Sequence, residues 1–223
     1  MNASDSDKAA FMGRITAGVT HELKNVLAII RESAGLMQDL LALSGDAQFP
    51  LREKFSKVLS NIGDQVVRGV DLASRLNTFS HLPDETSSGL DLNEVSVQVV
   101  FLSQRFARLK GISLNVQPHE RSVIIVTDPL EIQMVLFQCV ELLVNIVGTG
   151  ATITLHPLQQ GEGEATVELS STGNNETAAN KALDLAALPE WTELQESALG
   201  LKARIEPGNS PVWLRITFGH TAG

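Results

Sequence analysis

Residues 21–43 read HELKNVLAIIRESAGLMQDLLAL. Leu23, Leu27, Ile30, Ala34, Met37 and Leu41 recur in it at alternating spacings of four and three, the seam of a heptad pattern. Ile15, Val19, Val26, Ile29, Leu36 and Leu40 widen the apolar stripe, and the pattern reaches back to about Ser6. A helix this long with such a seam predicts a coiled coil or a bundle. SDSD at 4–7 offers N-cap candidates. Downstream, SGDAQFP at 44–50 is punctuated by Gly and Pro and predicts a turn. Phe55, Leu59, Ile62, Val66, Gly69, Ala73 and Leu76 then repeat the alternation, which predicts a second helix over about Leu51–Phe79. Two long helices with a short connection predict an antiparallel hairpin. One hairpin cannot bury two wide stripes, but two copies can. A homodimeric four-helix bundle through residues 8–80 is therefore expected.

The same stretch opens on His21, Glu22 and Asn25. Helical spacing puts His21 and Asn25 on one face with Glu22 beside them. An imidazole nitrogen is a nucleophile when neutral, and His titrates near physiological pH. A carboxylate accepting from one ring nitrogen would fix the tautomer and leave the other lone pair free, which is the role open to Glu22. The bland alternative is a solvated helix face.

Bulk composition narrows the classes. The chain has 223 residues, 43% hydrophobic and 19% charged, with a formal net charge of −9. This suits a globular protein with a sizeable core and argues against nucleic acid or an anionic membrane surface as partner. Cys139, the single cysteine, lies in the apolar run MVLFQCVELLVNIV and is expected in the core. It forms no intramolecular disulfide, so a reducing cytoplasm is the expected compartment. No apolar stretch is expected to span a bilayer, and the N-terminus lacks a signal-peptide pattern. His81, His119, His156 and His220 show no ligand spacing with each other or with Cys139, and no metal site is expected.

HLPDETSSG at 81–89 is polar, with Pro and Gly, and marks a boundary; domains are expected at 1–82 and 83–223. Beyond it, LDLNEVSVQVVFLSQRFARLK reads as a helix (91–110) and GISLNVQP and RSVIIVTD as strands. PLEIQMVLFQCVELLVNIVG (129–148) reads as a very apolar helix, and ATITLHPL and EATVELSS as strands turning at QQGEGE. A polar stretch then turns helical before a closing hairpin around PGNSP. Helices mixed with largely hairpin-linked strands predict an α+β two-layer sandwich.

A helical hairpin with HELKN near its start, followed by an α/β sandwich, resembles the cytoplasmic core of bacterial sensor histidine kinases. The hairpin is similar to their dimerisation and histidine-phosphotransfer domain. Their phosphoacceptor motif runs His-Glu-x-x-Asn/Thr, often followed by Pro; HELKNV matches it with Val26 in place of the Pro. LDLNEVSVQVV…KGISLNV, DPLEIQMVLFQCVELL and TVELSSTG follow the order and spacing of the kinase ATP-binding domain. The resemblance covers nearly the whole chain from residue 11.

The departures lie in the second domain. Counting from Asp128, the two Asn that the family carries on its long helix fall at Gln138 and Leu142; Asn145 lies a turn beyond. The family's adenine-reading Asp falls at Ser171 and its second Gly at Asn175, with Gly173 kept. No Gly-rich phosphate lid is evident over 176–200. The resemblance therefore implies a degenerate ATP-binding domain that holds no ATP. It further implies a phosphorelay histidine phosphotransferase with His21, Glu22 and Asn25 as catalytic residues. Its partners would be response-regulator receiver domains, met through Arg14, Lys24 and Val26 around the motif. No cofactor of its own is expected, because the receiver would supply Mg²⁺. In the family, an Asn at the Asn25 position can also orient water against an aspartyl phosphate. A receiver phosphatase, a non-catalytic dimer that binds a regulator or kinase, and a divergent histidine kinase are the competing readings.

Overall fold

In a computed structural model, the described residues are 3–43, 52–84, 88–160, 164–173, 185, 187–208 and 212–219. The turns expected at 44–50, 161–163 and 209–211, the centre of the linker at 85–87 and the polar stretch 174–184 lie outside them. The chain falls into two compact units. One is Met12–His81; the other joins Met1–Phe11 to Leu82–Gly223.

The first unit is built from helices α1 (Ala3–Leu43) and α2 (Arg52–His81). Arg68 Nη2 donates to Glu22 Oε2 at 2.9 Å, and Asn61 Nδ2 donates to Ser33 Oγ at 3.1 Å. Residues later in α1 thus meet residues earlier in α2, so the pair is an antiparallel hairpin. Its buried seam carries Ile15, Val19 and Val26 on α1 and Phe55, Leu72 and Phe79 on α2. The heptad seam read from the sequence is only partly the buried one: Phe55 is buried, but Leu27 is 63% exposed, Val66 48%, and Leu41 and Leu59 are exposed with them. Ile15, Val19 and Val26, expected to widen the stripe, line the inside, while Leu36 of the same set is exposed. A Cβ on Gly69 would meet Val26 Cγ1 at 3.2 Å, so the small residue permits the close approach there.

The second unit is an α/β sandwich. Its strands are β1 (Ser88–Asp91), β2 (Ser113–Val116), β3 (Ile124–Thr127), β4 (Thr152–Gln160), β5 (Glu164–Thr172), β6 (Ala203–Pro207) and β7 (Val212–Phe218). Its helices are α3 (Leu92–Leu109), α4 (Pro129–Ile146) and α5 (Pro189–Gly200). The main sheet runs β2-β4-β5-β7-β6, with β2 parallel to β4 and the other neighbours antiparallel. β1 pairs with β3 in a separate antiparallel ribbon. The chain is therefore α+β, with N-terminal helices and a mixed sheet.

Local chemistry explains the elements. Alternation on β4 and β5 turns Ile153, Leu155, Val167 and Leu169 inward, to a core shared with Val99, Ile132, Leu136, Leu143 and Trp191 of the helices. Asp91 caps α3: its Oδ1 accepts from Asn93 N at 2.9 Å and from Val123 N at 3.1 Å. Burial opposes ionisation of Asp91, but the backbone N–H of Asn93, the Ser122 side chain and the backbone N–H of Val123 outweigh it, so its carboxyl sits below the usual range. Asp128 caps α4 through Leu130 N and Glu131 N, with Pro129 at the first turn. Lys8 bridges Glu131 at 2.6 Å and Asp128 at 3.3 Å, and Phe11 meets Phe137 edge-on. The hydrogen bond to Glu131 holds Lys8 above its usual pKa against the opposing effect of burial, and Asp128 adds to it.

Among the described residues, α4 is long and apolar enough to cross a membrane by length and composition alone. Its apolar content serves another end, because 67% of that window is buried inside the protein, with Cys139 fully enclosed.

Candidate functional site

His21 lies exposed on α1, ten residues after Phe11, on an outer face of the hairpin. Its Nδ1 is 3.3 Å from Asn25 Nδ2, the i+4 contact that helical spacing predicts. With the amide nitrogen there, Asn25 donates and the imidazole carries its proton on Nε2. With the amide turned over, Oδ1 accepts from Nδ1–H and Nε2 keeps a free lone pair for attack. The same pair of atoms thus sets the tautomer, and the nucleophilic form belongs to the second arrangement.

Glu22 differs from its expected role. Its carboxylate, with 13% of the side chain exposed, faces α2 and is held by Arg68 at 2.9 Å. The partner seen at the imidazole Nδ1 is Asn25, and the charge beside the histidine is a Glu–Arg pair. Sequence periodicity gave no sign of Arg68, which is 46 residues away in the chain. Lys24 and Arg14 are exposed. Val26 is not: only 2% of it is exposed, because it fills the seam against Gly69. Expected as a partner contact, it is a packing residue. Leu27, next along the chain, takes the outward place.

In the α/β unit, the positions that correspond to a nucleotide site are filled otherwise. Leu142 is buried in the core. Gln138 is half-buried, and its Oε1 has no hydrogen-bond partner. Asn145 is exposed and its Oδ1 accepts from Lys110 Nζ at 2.5 Å, so it is engaged at the foot of α4. Ser171 pairs with Ile153 near the end of β5. Gly173 stands at φ +146°, where its hydrogen leaves 3.0 Å between a notional Cβ and Ala151 Cα; glycine is required there by the turn itself. Counted from Asp128, an apolar side chain thus stands where the resemblance implies a metal ligand and a hydroxyl where it implies the base-reading carboxylate. His119 Nδ1 lies 3.1 Å from Arg121 O, within its own loop.

Sequence comparison finds sensor histidine kinase ZraS of Klebsiella oxytoca, 26% identical over 172 residues, 77% of this chain and 36% of that protein. ZraS of Escherichia coli K12 is 24% identical over 196 residues, 87% of this chain and 40% of that protein. The comparison supports a histidine kinase core. The chain spans about a third of the length of the curated relatives it matches. No protein-family model matches it. Among solved structures, histidine kinase ThkA in complex with response regulator TrrA aligns with 97% of this chain and 64% of that one, at 16% identity and a TM-score of 0.48. Histidine kinase AdeS of Acinetobacter baumannii aligns with 91% of this chain and 98% of that one, at 14% identity and a TM-score of 0.45.

Proposed function

We propose that this chain is a histidine phosphotransferase of a two-component phosphorelay, carrying phosphoryl groups between receiver aspartates on His21 and drawing none from ATP. The observation that carries the reading is His21 itself, exposed on a paired helix with Asn25 at Nδ1 and a neutralised carboxylate beside it. The poor match of the α/β unit to a nucleotide supports it.

In the forward step, Nε2 attacks the phosphorus of an aspartyl phosphate. The N–P bond forms, the P–O bond to the carboxyl oxygen breaks, and the aspartate leaves with the electron pair. The proton stays on Nδ1, so the ring bears the positive charge and no external acid or base is needed. Transfer to a second aspartate reverses these events. Such chemistry depends on positioning and charge neutralisation more than on covalent help from the protein. The receiver domain supplies Mg²⁺ with its aspartate. The working protein is a homodimer, with residues 1–82 as the phosphotransfer domain and 83–223 as a degenerate partner domain.

The sequence relatives, which are sensor kinases, favour a second reading: a divergent kinase that phosphorylates His21 from ATP. Incubation with a phosphorylated receiver separates the readings. Acid-labile label on the protein, absent in His21→Ala, is expected. Loss of receiver label that survives His21→Ala and fails in Asn25→Ala indicates a phosphatase instead. Labelling from ATP alone refutes the ATP-independent part.

A further inference from the structure

Arg68 belongs to no motif in the sequence, yet it reaches from α2 to the residue next to the candidate phosphoacceptor. Its Nη2 lies 2.9 Å from Glu22 Oε2, with 44% of the Arg68 side chain exposed and 13% of Glu22. Glu22 is therefore a largely covered carboxylate whose charge is met from the opposite helix. We propose that Arg68 is a positioning residue for phosphoryl transfer at His21, acting through Glu22; this rests on the phosphotransfer reading.

The reason is electrostatic. Any phosphoryl group that approaches Nε2 carries about two negative charges. An unpaired Glu22 would stand one residue away along the helix. In water, two charges on a phosphoryl and one on a carboxylate about 7 Å away repel enough to change a rate by about tenfold. Arg68 cancels that charge and holds the carboxylate toward α2, away from the open side of the imidazole. It also ties the orientation of the site to the pairing of the two helices, since the contact spans the hairpin.

The test uses potassium phosphoramidate, a small phosphoryl donor that bypasses any protein partner. Label on His21 is followed by intact mass at neutral pH and checked for acid lability. Arg68→Met keeps the length and removes the charge. It is expected to label about tenfold more slowly, while Arg68→Lys stays within about threefold. Screening at about 0.5 M salt should shrink the Arg68→Met defect to about twofold. In a Glu22→Gln background, Arg68→Met should add less than about twofold, because there is no charge left to cancel. A wild-type rate for Arg68→Met overturns the proposal. So does a tenfold loss that neither salt nor Glu22→Gln changes, which would mark a purely structural role. Failure of phosphoramidate to label wild-type His21 overturns it as well. Wild type labelled by phosphoramidate but not by a phosphorylated receiver refutes the relay reading and leaves the result for Arg68 standing.

Discussion

The exposed stripe of the hairpin makes a quantitative prediction about assembly. Leu27 on α1 is 63% exposed, and Val66 on α2, close to Leu27 in the antiparallel register, is 48% exposed. Full burial of a leucine contributes about 1.5–3 kcal/mol, so covering the exposed part of Leu27 contributes about 1.5 kcal/mol. A two-fold dimer counts it twice, about 3 kcal/mol, or about a hundredfold in the dissociation constant. Leu27→Asp should therefore weaken the dimer by at least that factor, since it also places a carboxylate in the contact. Sedimentation velocity across the micromolar range reads the change directly. Leu109, exposed on α3 of the other unit, supplies the control: Leu109→Asp should leave the assembly as it was. A Leu27→Asp protein that sediments like wild type would refute the reasoning, as would a wild type that is monomeric throughout.

Three further outcomes follow from other contacts. Gly69→Leu should destabilise the hairpin by about 1–3 kcal/mol through overpacking against Val26, read as a lower melting temperature, and Val26→Ala in the same chain should recover part of the loss. Asp91→Ala should cost about 1 kcal/mol at neutral pH, the usual worth of an N-cap. The folded-state pKa of Asp91 is lowered from 3.8, so its stabilisation is present above that value and is lost as pH falls through the lower one. The gap between wild type and variant in a urea titration should thus narrow as pH falls below 3.8. Cys139 is fully buried and burial pushes its thiol well above the ordinary range, so iodoacetamide should modify it only when the protein is unfolded.

Much of this organisation can be read in the sequence, and the exceptions share a physical cause. The two long helices and the alternating strands are strong periodic signals, and both appear. The phase of the helical seam does not follow from periodicity, because both faces of α1 are apolar and either stripe satisfies a heptad. The inside is settled by residues of low hydrophobicity: Gly69, which admits Val26, Ser33, which meets Asn61, and Glu22, which meets Arg68. A reading weighted by apolar content passes over Ser33 and Arg68, and takes Gly69 only as a spacing position in the seam. β1 carries little signal of its own, because its four residues run straight into α3 and its partner, β3, lies beyond α3 and β2 in the chain. His21 and Asn25 were visible because they are four apart on one helix; Arg68 was not, because only the fold brings it near.

The fate of α4 follows from the same balance of forces. Leu142 stands at a position where a metal ligand would need an amide, and it is 5% exposed in a core that includes Leu143, Val140 and Cys139. An asparagine there would lose about 1.5–3 kcal/mol of apolar burial, and its amide would require partners that the surrounding side chains do not offer. Packing therefore opposes an amide at position 142. A phosphotransferase is indifferent to this, because its donor arrives already activated and its own requirements are few. It needs an exposed imidazole, a group that fixes the tautomer and a local charge that does not repel phosphate. On the proposed reading all three would lie within the hairpin, in His21, Asn25 and the Glu22–Arg68 pair.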